Sequence, residues 1–316
     1  MEKSIEVKEA PITLSEPTAQ YLVNAISANS LRAYKSDYRS FEAWCAERGL
    51  RPLPATPAVV AEYFSSLAEA GRKASTITRA RAAIRLAHVS AGHPDVTAAT
   101  LVKNTLKGIR RAVGTAATKK SPTLTTDITA MVNSLDGGLG GLRDKAILLI
   151  GFATGMRRSE LVGMRMDHVE ECAEGIRINI PRSKTDQEGA GRVIGVKRGT
   201  NPTTCPVRAL NNYLSAAGIT EGFIFRSINR HGQIGAGLTA QSVALVVKSA
   251  ATAAGLNPDN YSGHSLRAGL VTQAAIAGAK VADIMRQTGH KSHDTVMGYV
   301  RIANVFENNA SGSLGL

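Results

Sequence analysis

Between Gly71 and Lys120 the chain carries eleven basic residues (Arg72, Lys73, Arg79, Arg81, Arg85, Lys103, Lys107, Arg110, Arg111, Lys119 and Lys120) and a single acid, Asp95. Local pairing cannot neutralise like charge at this density. The segment can fold only if apolar residues on the same elements form a core and the cations stay at the surface. The spacing supplies such a face. In STITRARAAIRLAHVS, Ile77, Ala80, Ile84 and Ala87 recur at three and four residues, the period of an amphipathic helix. This predicts a helix from about 75 to 90, with Arg81 and Arg85 one turn apart on another side. The window holds ten of the thirteen net positive charges of the chain. Such a surface suits a polyanion, because each Lys or Arg that neutralises a phosphate releases condensed counterions. It suits a membrane surface less well, since it lacks the bulky aromatics that interfacial helices bury.

The helical period continues on either side. Residues 1–15 have mixed charge, Pro11 and no period, and read as a mobile arm. Asn29 and Ser30 offer a cap for a helix whose stripe is Leu31, Tyr34, Tyr38, Phe41 and Cys45, ended by Gly49. A loop with Pro52, Pro54 and Pro57 follows, and Thr56 can cap a helix through VVAEYFSSLAEAG. A fourth helix covers roughly 98–113, which makes 16–113 one all-helical unit. The small, polar and basic stretch GTAATKKSP then reads as a linker, 114–123. In the second unit, 124–316, a helix near 126–135 leads to a flexible GGLGG turn and the long buried helix of DKAILLIGFATGM. IRINIP and RVIGV alternate as paired strands around KTDQEGAG, and the remainder is mainly helical with turns at Gly218, Gly255 and Gly278. The expected fold class is mainly α in two domains, the second mixed α+β with a small antiparallel sheet.

With 43% hydrophobic and 20% charged residues in 316, the chain forms a core and is no disordered basic tail. No apolar run reaches the ~18 residues of a membrane span, and the N-terminus lacks a signal-peptide layout. A cytoplasmic location is expected. Cys45, Cys172 and Cys205 form no C-x-x-C pair and read as reduced thiols. Gly137, Gly138, Gly140 and Gly141 are not followed by G-K-[ST], and no G-x-G-x-x-G is present. His290 and His293 lack an H-E-x-x-H arrangement, so no zinc site is expected. There is no G-x-S-x-G elbow. What remains is a set of cationic and proton-donating residues: Arg157 in ATGMRRSEL, Lys184 in PRSKT, His264 and Arg267 in HSLRAG, His290 in TGHKS, and Tyr299 in VMGYVR.

These blocks, in this order and ending in a tyrosine nine residues after His290, resemble the tyrosine site-specific recombinases, the phage-integrase family that includes Cre and the Xer proteins. The resemblance spans about 124–300. The helical, basic first unit looks like that family's SAM-like core-binding domain in size, helicity and charge only. The resemblance implies a DNA strand-exchange enzyme acting through a covalent 3′-phosphotyrosyl link and a free 5′-hydroxyl. Tyr299 would be the nucleophile, Arg157 and Arg267 the guanidinium forks on the non-bridging oxygens, and Lys184 the acid for the 5′-oxygen. His264 would bond the phosphate or assist proton transfer from Tyr299, His290 would donate to the phosphate, and Glu160 would orient the basic groups. Alignment with the family's T-G-x-R-x-S-E block selects Arg157 over Arg158, leaving Arg158 to a backbone phosphate or solvent. No metal, cofactor or ATP is implied, because the bond energy is kept in the protein–DNA link.

The implied partner is duplex DNA, with a homodimer on each site and a homotetramer at synapsis, in the cytoplasm at the nucleoid. The apolar stripe Ile302, Val305 and Phe306 would dock on a neighbouring protomer. Backbone grip falls to Arg72, Lys73, Arg79, Arg81, Arg85, Lys103, Lys107, Arg110, Lys119 and Lys120. Two alternatives stay open: a type IB topoisomerase-like relaxing enzyme, and a non-catalytic DNA-binding regulator.

Overall fold

Helix α1 (Ala28–Ala46) is capped by the Ser27 hydroxyl, which accepts from the Ser30 N–H at 3.2 Å, so the cap lies two residues before Asn29. The computed structural model describes residues 25–115, 120–181, 183, 186, 189–303, 311 and 314, with side chains to 300 along its last helix. The predicted arm (1–15), Lys119, Lys184, Val305 and Phe306 lie outside the described residues, as does the side chain of Ile302. By contact the chain divides into two units, Met1–Thr118 and Lys119–Leu316.

In the first unit, α2 (Pro57–Glu69) starts at the expected Thr56 cap, with Pro57 in its first turn, where a missing N–H costs nothing. Helix α3 (Ala74–Ser90) follows, and Asp95 then caps a short 3-10 turn, Val96–Ala98. Helix α4 (Thr100–Val113) is separate from that turn, because Ala99 has left helical geometry at ψ 143°. Phe41 and Cys45 of α1 pack with Val60, Tyr63 and Phe64 of α2, Ile77 and Ile84 of α3, and Val102, Leu106 and Ile109 of α4. On α3 it is Ala83 and His88 that are buried, while Ala87 is half-buried. His88 ties the unit together: Nε2 accepts from the Ala55 N–H at 2.9 Å, and Nδ1 lies 2.9 Å from the Ile84 carbonyl oxygen.

The second unit opens with α5 (Thr125–Asn133) and α6 (Leu139–Thr154). GGLGG is only partly a turn. Gly138 caps α6, whereas Gly140 and Gly141 lie within its first turn. A Cβ on Gly141 would sit 2.1 Å from the Asp136 carbonyl oxygen, so the glycine there permits close packing. From Ala146 to Gly151 every residue of α6 is buried. After α7 (Arg158–Val162) come β1 (Val169–Cys172), β2 (Gly175–Ile180) and β3 (Arg192–Lys197), an antiparallel sheet in that order. In the β2–β3 pair Ile176 faces Val196, Ile178 faces Ile194, and Ile180 faces Arg192. β1 is a third strand beyond the expected pair.

Helix α8 (Pro206–Ala217) and the short antiparallel pair β4 (Arg226–Ile228) and β5 (Ile234–Gly237) lead to α9 (Ala240–Ala253). Helices α10 (Gly263–Ile276), α11 (Val281–Thr288) and α12 (His293–Ala303) complete the unit. α6 packs against α8 and α10. The segment entering α5 runs beside α10, where the Thr123 N–H donates to the Ser265 carbonyl oxygen at 3.1 Å. A Cβ on Gly269 would lie 2.0 Å from the Thr123 carbonyl oxygen, which fixes glycine on that face. The three cysteines are free. No helix among the described residues is long and apolar enough to cross a membrane.

Candidate active site

The site is assembled where α6 ends. Gly155 takes a left-handed conformation (φ 59°) that closes the helix, and a Cβ there would come within 2.9 Å of Thr288 and 2.8 Å of Leu270. Turning the chain at Gly155 sets Arg157 as the cap of α7. Its backbone N–H donates to Glu160 Oε2 at 3.0 Å and its Nη1 to Oε1 at 2.7 Å. The Glu160 carboxylate, with its side chain only 2% exposed, also accepts from Arg192 Nη2 at 2.9 Å. Arg192 in turn donates through Nη1 to the Gln287 carbonyl oxygen at 2.8 Å, and its guanidinium lies against Gly289.

From α10, Arg267 reaches the same place. It is buried, and Nη1 donates to the carbonyl oxygens of Gly155 and Thr288, both at 2.6 Å. Arg267 Nη2 and Arg192 Nε are buried with no hydrogen-bond partner among the described residues. Two guanidiniums therefore share one carboxylate beside a third, Arg267, that is held by backbone carbonyls, and two buried donors point at no acceptor among the described residues. Burying charge this way is costly until an anion enters. The titration behaviour follows. Burial, then the neighbouring Arg157, brings Arg267 down to about 10, with Glu160 opposing. Burial lowers Arg192 as well, against the pull of Glu160. His290, just beyond α11, is pushed down to about 4 by burial and by Arg267, Arg157 and Arg192. Its Nδ1 lies 2.6 Å from the Thr288 hydroxyl.

Tyr299, on α12, is half-buried against Val271, Ala275, Ile284 and Val296, and its phenol is among the groups whose charge acts on Arg267. His264 is exposed in the first turn of α10, three residues before Arg267 and on the same face. Arg158 lays its aliphatic stem over Gly263. Lys184 falls outside the described residues; after it, the Asp186 carboxylate accepts from the N–H groups of Ala190 at 3.1 Å and Gly191 at 2.8 Å. Those bonds, Gly191 first, hold the Asp186 carboxyl below the usual carboxylate range. The structure thus brings together Arg157, Glu160, Arg267, His290 and Tyr299. Sequence reasoning missed Arg192 and Gln287. Arg192 had a readable signal: in RVIGV it shares the inward face with Ile194 and Val196, where a charge needs a reason to be.

The basic residues of the first unit differ in what they hold. Arg72, Lys73, Lys103, Lys107, Arg110 and Arg111 are exposed, and on α4 they flank the buried stripe Val102, Leu106 and Ile109. Arg110 also reaches the Thr78 hydroxyl at 3.3 Å. Arg79 closes its fork on Asp37 at 2.6 and 2.9 Å, Arg85 pairs with Asp95 at 3.2 Å, and Arg81 donates to Thr97 at 3.3 Å. In the second unit, Lys120 donates to the backbone carbonyl of Asp259.

Comparison with known proteins gives matches to both units. The sequence profile of the phage integrase family matches residues 123–304, and that of the phage integrase N-terminal SAM-like domain matches 20–90. An integrase/recombinase XerD homolog of Selenomonas ruminantium is 37% identical over 302 residues, covering 94% of this chain and 88% of the relative. The recombinase Cre of Escherichia phage P1 is 23% identical, covering 88% and 85%. Among solved structures, the Tn1549 transposon integrase in complex with transposon right end DNA superposes with a TM-score of 0.63 at 15% identity, covering 89% of this chain and 92% of that one.

Proposed function

From the fact that the chain belongs to the phage integrase family of tyrosine recombinases, we propose that it is a site-specific DNA recombinase that cuts and rejoins strands through a 3′-phosphotyrosyl intermediate. One observation carries this reading: Arg157 and Arg192 paired on the buried Glu160, with the buried Arg267 acted on by all three and by Tyr299, and Arg267 Nη2 without a partner among the described residues. A phosphodiester is the anion such a cluster fits, because planar guanidinium donors match its non-bridging oxygens and strengthen as charge builds in the pentacoordinate state.

In the proposed reaction the phenolic oxygen of Tyr299 attacks phosphorus. The new O–P bond forms as the bond to the 5′-oxygen breaks. Arg157 and Arg267 hold the non-bridging oxygens, and Glu160 keeps Arg157 and Arg192 in register. The phenolic proton passes to His264, and Lys184 donates a proton to the leaving 5′-oxygen. One phosphodiester is exchanged for another, so the 5′-hydroxyl of a partner strand can reverse the step and complete exchange without hydrolysis. Residues 16–113 would grip duplex DNA from one side and 124–316 would carry the chemistry. Dimers would form on each site and a tetramer at synapsis, with the tail after Tyr299 docking on a neighbour. Arg72, Lys73, Lys103, Lys107 and Arg110 are the backbone contacts favoured by their exposure.

The test uses labelled fragments of the DNA flanking the protein's own coding sequence, quenched in detergent. The wild type should leave a covalent protein–DNA adduct. Tyr299→Phe should abolish it while still retarding the same fragments. Adducts that persist in Tyr299→Phe, or relaxation of supercoiled plasmid by monomers with no recombinant product, would overturn the proposal.

A further inference from the structure

The hydroxyl of Thr288 has two polar neighbours: the Ile284 carbonyl oxygen at 2.7 Å and His290 Nδ1 at 2.6 Å. A hydroxyl owns one proton, and a carbonyl oxygen owns none to give. Two oxygens 2.7 Å apart would face lone pair to lone pair unless that proton lies between them. The Thr288 proton is therefore committed to Ile284, and Nδ1 of His290 has to be the donor in the second bond. We infer that Thr288 is a positioning residue that locks His290 in the Nδ1–H tautomer, so that the free site presents the Nε2 lone pair, a proton acceptor.

The surroundings keep the ring neutral. Burial disfavours its charged form most, and Arg267 on α10, Arg157 at the cap of α7 and Arg192 on β3 add like charge in that order. Glu160 is the acid bonded to Arg157 and Arg192, Asp186 faces Lys291, and from α12 the phenol of Tyr299 acts on Arg267. Lys291 follows directly in sequence and adds no negative charge. The consequence rests on the recombinase reading above. His290 cannot donate to a phosphate oxygen until it takes up a proton from solvent. A phosphodiester that offsets the three arginines is what allows the uptake. Substrate binding and protonation of His290 are then a single linked event.

Ring-nitrogen NMR of the full-length protein, labelled at histidine and without DNA, tests the tautomer directly. The His290 resonance is identified by its loss in His290→Gln. The expected result at pH 7 is a proton-bearing Nδ1 and a bare Nε2. Thr288→Val should move the ring towards the other tautomer, and Thr288→Ser should restore it. A proton-bearing Nε2 in the wild type, or a tautomer unmoved in a folded Thr288→Val protein, would overturn the inference. If Thr288→Val does not fold, the wild-type and Thr288→Ser spectra decide alone. In the adduct assay, Thr288→Val should slow cleavage roughly tenfold, as loss of one hydrogen bond behind a working imidazole does. It should also displace the acid limb of the pH profile, while Thr288→Ser stays within about twofold. The spectrum needs no DNA, so failure to find any adduct would count against the recombinase reading and leave the tautomer result standing.

Discussion

In the helical unit Arg79 meets Asp37 one to one, with half of the arginine side chain in water, whereas in the second unit Arg157 and Arg192, both largely covered, share the buried Glu160 and act on the buried Arg267. The first arrangement is weak and screened by salt, worth ~1 kcal/mol or less. The second concentrates unbalanced charge where water and ions cannot relieve it. The window from 71 to 120 holds ten of the thirteen net charges, yet the one buried arginine among the described residues, Arg267, lies in the second unit. A count of charged residues locates the polyanion surface. Burial locates the chemistry.

The contrast can be broken most sharply by conservative exchange. Arg267→Lys keeps the charge but loses the fork, and adduct formation should fall ~10²–10³-fold, the cost of removing one donor from a transition-state anion. Arg79→Lys should stay within about twofold in the same assay. Equal losses from the two would erase the distinction. Next in size is stability. Glu160→Gln strands Arg157 and Arg192 in the interior and should lower the unfolding free energy of the second unit by ~3 kcal/mol, read by denaturant titration. Asp37→Asn should cost ~0.5 kcal/mol.

A smaller effect follows from pH. His290 titrates at about 4 in place of an ordinary 6.5, so between those values the unfolded chain binds a proton that the native site refuses. Stability of the second unit should thus decline as pH falls from about 6.5 towards 4, by ~1 kcal/mol after solvent screening, and His290→Gln should flatten the decline. Last, Lys103→Ala and Lys107→Ala should each reduce the slope of log affinity for duplex DNA against log salt by about 1, without changing cleavage once DNA is saturating. An unchanged slope would remove α4 from the interface.

Much of this was legible from local pattern. The alternation of IRINI with RVIGV reports a face that is buried, and the stripe of α1 is buried at its end, at Phe41 and Cys45, and partly covered before it. The blocks around Arg157, Arg267, His290 and Tyr299 named residues that the fold does gather. What escaped depends on partners distant in the chain. β1 reads VEEC, with no apolar alternation, and is a strand because Glu170 and Glu171 lie opposite Arg177 and Ile176 of β2. Gly140 and Gly141 look like punctuation, but the backbone of Asp136 occupies the space a side chain would need at Gly141. Asp37 is 42 residues from Arg79, and Glu160 is 32 from Arg192. Windows of charge or hydropathy cannot see such pairs.

Arg267 has a practical consequence through the two carbonyls it holds. Gly155 closes α6 and Thr288 ends α11, so one guanidinium nitrogen staples the electronegative ends of two helices. An engineer wanting an inert protein that still docks on its target should leave that staple alone. Truncating Arg267, unlike the charge-keeping exchange for Lys, would cut both bonds to the helix ends and loosen the frame along with any loss of activity. Tyr299 packs against a small satellite cluster, and loss of its single oxygen leaves the Arg267 bonds to both helix ends in place. Under the proposed mechanism it is the position at which this molecule would be switched off while its shape is kept for trapping.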